Sequence, residues 1–210
     1  MPLPRRALLG FVPTGLITAL ALPRLARADE PATHAERALG NADAPVSVIE
    51  FYSLTCPHCA DFTHETFPRV KSELIDTGKL RYVFWDFPLD QVALTAAMVA
   101  HYLPPDRYVP FTDALLASQD RWAFARGVNS TDELAKMAAL AGLGREQFEK
   151  AIADNELKAW ILQRQDEAVK TYGIDSTPSF IFNGKAAKNS RESGSIGYEV
   201  FARAVAQAAG

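Results

Sequence analysis

Two cysteines are all that the 210 residues carry, so no framework of several disulfides holds the chain together. With no third thiol available, Cys56 and Cys59 either bond each other or exchange with another molecule. Histidine is scarce too. A zinc site built on the cysteine pair would need two further ligands from His34, His58, His64 and His101, and these show no paired metal spacing. No block of basic residues appears, and the net charge is −3, which argues against nucleic acid or anionic membrane surfaces as partners. The longest apolar stretch, Ala7 to Leu22, falls short of the ~20 residues that cross a bilayer, and Pro13 interrupts it. There is no internal repeat and no low-complexity segment. What remains is an ordinary balance of apolar and charged residues, able to bury a core in one domain.

The apolar stretch has another use. Arg5 and Arg6 precede it and Ala26-Arg27-Ala28 follows it, the layout of a cleavable secretory signal over residues 1–28. An uncleaved anchor is the alternative, and a lipoprotein anchor is excluded because no cysteine lies nearby. The arginine pair resembles a twin-arginine signal only loosely, which leaves the export route open. Four arginines and no acid leave with the segment, so the mature chain is more acidic and is headed for a compartment where disulfides persist.

Beyond it, the hydrophobic pattern changes character along the chain. Val46 to Tyr52 is rich in β-branched and aromatic residues and reads as a buried strand. A helical pattern runs from Pro57 to about Ile75, with Pro68 as a kink and Gly78 as a stop, and Leu80 to Phe87 is a second strand. Strand, helix and strand make a βαβ unit. Residues 89–172 hold several helical segments and no convincing strand: one face carries Leu94, Ala97, Met98, His101 and Tyr102. A second helix starts at a capping box of Ser130 and Glu133, and a third runs from Leu157 to Tyr172 and stops at Gly173. Ser179 to Phe182 is again a strand. Asn183-Gly184 signals a hairpin turn, with a second arm near 185–192 and a closing helix over Tyr198 to Ala208.

The cysteine tetrapeptide Cys56-Pro57-His58-Cys59 falls where the first strand ends and the first helix begins. That position sets the sulfur of Cys56 beside free backbone N–H groups at the positive end of the helix dipole, which favours a thiolate. A thiolate is both the nucleophile and the better leaving group in disulfide exchange. Cys56 is therefore the exchanging sulfur, and Cys59, one turn further in, the resolving one. Pro57 suits a first helical turn, and His58 is placed to direct a hydrogen bond or partial positive charge at Cys56.

Glu50-Phe51-Tyr52-Ser53, the Cys-Pro-His-Cys motif, a helical insertion and Thr177-Pro178 before a strand together resemble the DsbA family of bacterial periplasmic thiol oxidases. The resemblance covers about residues 35–208. It implies an α/β thioredoxin-like fold with an inserted helical subdomain: residues 29–88 and 173–210 form the thioredoxin-like part and 89–172 the insertion. It also implies a monomeric, periplasmic enzyme that donates the Cys56-Cys59 disulfide to reduced exported proteins and needs no cofactor beyond that disulfide. A quinone-linked membrane partner of the DsbB type would reoxidise it. Pro178 matches the family's cis-proline beside the cysteines, where the preceding backbone meets an extended client, and Glu50 matches a buried acid behind them. Its alternative is a solvent-facing charge. One departure stands out: strong oxidases of the family carry valine before this proline, whereas Thr177 resembles the isomerase-type relatives. An isomerase or reductase on the same fold, or a non-catalytic client-binding protein, are the rival readings. The stretch before the first strand is too short for the amino-terminal dimerisation domain of disulfide isomerases.

Overall fold

The computed structural model describes residues 32–210, together with Met1. The signal segment expected over residues 1–28 lies, Met1 aside, outside the described residues. Five strands are described: β1 (Arg37–Leu39), β2 (Val46–Tyr52), β3 (Leu80–Asp86), β4 (Ser179–Asn183) and β5 (Ser190–Ser193). They form one mixed sheet in the order β1-β3-β2-β4-β5, in which only β2 and β3 are parallel. The connection between β2 and β3 holds α1 (Pro57–Glu65), α2 (Phe67–Val70) and a π turn over Lys71–Ile75.

Six helices follow before the sheet resumes. They are α3 (Gln91–His101), α4 (Pro105–Leu116), α5 (Gln119–Trp122), α6 (Ser130–Leu140), α7 (Arg145–Ala153) and α8 (Asn155–Tyr172). The chain closes with α9 (Tyr198–Ala209). This is a thioredoxin-like sheet with a helical insertion between β3 and β4. Among the described residues no helix is long and apolar enough to cross a membrane.

Alternation along the central strands decides what faces the site. Side chains two apart share a face, so Val46, Val48 and Tyr52 join the main core with α1 and α9, and Glu50 between them points the same way. Phe51 goes to the opposite face with Trp85, Ile174 and Ile181. Helix α1 buries Cys59 and Phe62, spaced i and i+3, and leaves Pro57, His58 and Asp61 in solvent. Phe62 packs on Phe180 of β4 with ring centroids 4.6 Å apart, which fixes the helix over the sheet.

Three local expectations are corrected. The turn at Asn183-Gly184 is not a two-residue hairpin: β4 and β5 do pair antiparallel, but β5 begins only at Ser190, opposite Phe182, and a Cβ on Gly184 would lie 2.2 Å from the Ala208 carbonyl. Gly184 serves close approach of α9. Helix α6 is capped by Asn129, whose Oδ1 accepts from Thr131 and Asp132 N–H, while Ser130 is its first residue and Glu133 pairs with Lys136 instead. The single helix expected from Pro57 to Ile75 is broken at Thr66, one residue before the turn that Pro68 enters without an N–H to give. Gly173 does end α8, in the left-handed conformation at φ 65°, and sends Ile174 into the core.

Candidate active site

Cys56 is the residue before the first turn of α1, with extended backbone, and Pro57 follows at the position where a missing N–H costs nothing. The next two N–H groups, of His58 and Cys59, reach the sulfur, that of Cys59 while also donating to the Cys56 carbonyl at 3.1 Å. Both cysteines are reduced and buried, Cys56 at 5% exposure and Cys59 at none. Their chemistry is nonetheless opposite. The Cys56 pKa is drawn down to about 5, first by a hydrogen bond from the Cys59 thiol, against the cost of burial, then by the Thr177 side chain and the Cys59 and His58 N–H groups. Burial first, and then donation to Cys56, push the Cys59 thiol well above the ordinary range. One sulfur is made a thiolate and the other kept as its proton donor.

The imidazole of His58 takes no part in this. Its ring is 72% exposed and sits 3.6 Å from Asp61, and only the backbone N–H of His58 serves the thiolate. His64 is exposed as well. Across the site, the Thr177-Pro178 peptide is cis, and the Cys56 sulfur lies 3.3 Å from the Thr177 carbonyl oxygen, to which it donates only when protonated. The Thr177 hydroxyl is buried and settles on no hydrogen-bond partner, although it lies near enough to favour negative charge on the sulfur. Behind the pair, Glu50 is 3% exposed and accepts from Tyr82 at 2.8 Å through one oxygen; the other is buried and unpartnered. Burial raises its pKa to about 8 despite that hydrogen bond, and the nearby Asp113 and Cys56 add to the rise. Cys56, Cys59, Pro57, Glu50, Thr177 and Pro178 thus converge, with His58 contributing its backbone alone.

Three residues that hold the site escaped the sequence. Tyr82 binds Glu50, Asp90 accepts from Thr55 at 2.7 Å, and Gln119 donates to the Leu54 and Cys56 carbonyls. Asp90 is legible as the cap of α3 from its place before an apolar run, but its second bond spans 35 residues and leaves no local signal. Leu54 and Thr55, just before the motif, are buried. Among the described residues, no group of three or more His, Cys, Asp or Glu side chains is placed to hold a metal.

A family model described as Thioredoxin matches residues 32–199. The crystal structure of alpha-DsbA1 from Wolbachia pipientis aligns with a TM-score of 0.76 at 31% identity, covering 83% of this chain and 90% of that one. The chain is a DsbA-type member of the thioredoxin family. Relatives of this DsbA-type chain include a putative protein-disulfide oxidoreductase of Rickettsia bellii, 30% identical over 152 residues, 72% of this chain and 58% of that protein. A probable disulfide bond formation protein D of Bacillus anthracis is 29% identical over 163 residues, 72% of this chain and 71% of that protein. The chain therefore spans a little more than half the length of the Rickettsia relative it matches, and it sits among disulfide oxidoreductases by sequence and fold.

Proposed function

We propose that the chain is an exported, periplasmic thiol-disulfide oxidoreductase that donates the Cys56-Cys59 disulfide to reduced client proteins. The observation that carries the reading is the asymmetry of the pair: a thiolate at the start of α1 and, one turn away, a buried thiol that holds its proton. In the oxidised enzyme a client thiolate attacks the Cys56 sulfur. A bond forms between client and Cys56, the Cys56-Cys59 bond breaks, and Cys59 leaves and takes up a proton, for which protonated Glu50 is the nearby source. A second client thiolate then attacks the client's own sulfur in the mixed disulfide, and Cys56 departs as the low-pKa leaving group. Two electrons pass from the client dithiol to the pair. A quinone-linked membrane oxidant of the DsbB type takes them on, and the enzyme works as a monomer.

Trapping tests the assignment. Cys59→Ser accumulates disulfide-linked complexes with exported proteins on non-reducing gels, and Cys56→Ser accumulates none; equal trapping by both would overturn it. The buried Thr177 hydroxyl beside Cys56 supports an isomerase or reductase as the rival reading. Equilibrating the pair against glutathione separates the two, since a poise as reducing as that of thioredoxin, about −270 mV, excludes a strong oxidase.

A further inference from the structure

The turn that carries Cys56 is not held by the sheet alone. Residues Ser53 to Cys56 leave β2 and enter α1, and two side chains of the insertion grip them. Asp90, capping α3 through Oδ1, accepts from the Thr55 hydroxyl through Oδ2 at 2.7 Å. Gln119, at the start of α5 and 8% exposed, donates from its one amide nitrogen to the Leu54 carbonyl at 2.9 Å and the Cys56 carbonyl at 3.0 Å. Both neighbours are acceptors, so the amide has only one orientation that satisfies them.

The Cys56 carbonyl also accepts from Cys59 and Ala60 N–H at 3.1 and 3.2 Å, the bonds that open α1. A side chain that fixes this carbonyl therefore fixes where the first N–H groups of the helix point. It also sets a donor against two carbonyl dipoles close to a sulfur that carries negative charge.

We propose that Gln119 is a positioning residue of the redox centre: from the helical insertion it locks the Leu54 and Cys56 carbonyls, so that the His58 and Cys59 N–H groups converge on the Cys56 sulfur. The insertion then has a chemical task as well as a packing one, tuning the thiolate of a sheet it does not belong to. This rests on the reading of Cys56 as the exchanging thiolate.

The test is the ultraviolet titration of the Cys56 thiolate in Gln119→Met, which keeps the bulk of the side chain and removes both donations. The Cys56 pKa rises by about half a unit or more, a threefold or greater loss of thiolate at a pH below the transition. Gln119→Ala gives a rise at least as large and keeps the test open should the methionine variant fold poorly. Gln165→Met is the control: it removes a comparable amide bond, from α8 to the Pro88 carbonyl at 3.0 Å, and leaves the Leu54 and Cys56 carbonyls with their Gln119 donor. Its Cys56 titrates as in the parent. An unchanged pKa in both Gln119 variants, or an equal rise in the control, overturns the proposal. A parent whose Cys56 titrates as an ordinary thiol instead removes the functional reading beneath it, so the two failures are distinct.

Discussion

Glu50 on β2 and Asp86 on β3 face the same side of neighbouring strands, and their surroundings treat them in opposite ways. Asp86, 8% exposed, engages both oxygens: His101 meets one at 2.8 Å and the Tyr108 hydroxyl the other at 3.5 Å. The cluster extends through the Tyr52-Tyr108 hydroxyl pair at 2.7 Å and through Arg37, which donates to the His101 carbonyl at 2.7 Å. It binds β1, β2 and β3 to α3 and α4. Glu50 has one partner, one bare oxygen and a thiol behind which it waits. A buried carboxylate with both oxygens engaged ties elements together, whereas one left short of partners resists ionisation and is available for proton transfer.

Breaking the Asp86 cluster has the largest effect on stability. Asp86→Ala leaves His101 and Tyr108 without the buried acceptor they share, at a cost of about 1–3 kcal/mol for each buried group left unpaired. Denaturant melts measure it. The Cys56 titration stays put in the folded variant; a displaced titration would mean that the cluster belongs to the redox site after all.

Glu50 gives the opposite profile. Its folded pKa of about 8 lies above the ordinary 4.5, so protonation favours the fold, and the group's contribution is full below pH 4.5 and lost as pH rises to about 8. The groups facing it are Tyr82, Cys59, Cys56 and Asp113, and burial raises the pKa of Asp113 itself to about 6. In the oxidised protein, where neither sulfur titrates, Glu50→Gln removes a stability slope of up to about 1 kcal/mol per pH unit across that window. Asp113 keeps a slope of the same sign in both proteins, over a narrower window that ends near pH 6. Parallel stability curves for the parent and Glu50→Gln between pH 5 and 8 would show that Glu50 is no more perturbed than a surface acid.

The same contrast explains what could be read from the sequence. The motif, the strand before it and the helix after it are contiguous, so periodicity and turn chemistry place Cys56, Cys59 and Pro57 directly. The resemblance to DsbA proteins supplied Glu50, Pro178 and Thr177, whose roles no local pattern assigns. Strand β1 escaped notice because three residues with a buried arginine show no alternation. Tyr82, Asp90 and Gln119 meet the site from 32 to 65 residues away, through contacts that leave no trace in spacing. His58 failed differently: proximity in sequence suggested its ring, but on α1 that ring projects to solvent beside Asp61, and the useful atom is the backbone nitrogen every residue but proline has.

The smallest effect separates the two redox forms. Closing a four-residue loop with a disulfide restricts the unfolded chain by roughly 2 kcal/mol in the entropy model, which favours the oxidised protein. Against it stands the thiolate of the reduced form. A folded Cys56 pKa of about 5, below the unfolded value of about 9, contributes stability that is complete above pH 9 and lost as pH falls through 5. At pH 7 two of those units are realised, roughly 2.7 kcal/mol before allowing for the solvent that reaches a sulfur flanked by exposed Pro57 and His58. The reduced form is thus the more stable at pH 7 by no more than about 1 kcal/mol, the difference widens towards pH 9, and it changes sign between pH 5 and 7. His58→Ala retains the N–H and keeps this balance, while His58→Pro removes the donor and moves the crossing point towards alkaline pH. Paired denaturant melts of oxidised and reduced protein across pH read all of these. An oxidised form that stays the more stable throughout pH 7 to 9 would mean that the start of α1 does not hold Cys56 as a thiolate, and would leave the isomerase or reductase reading in its place.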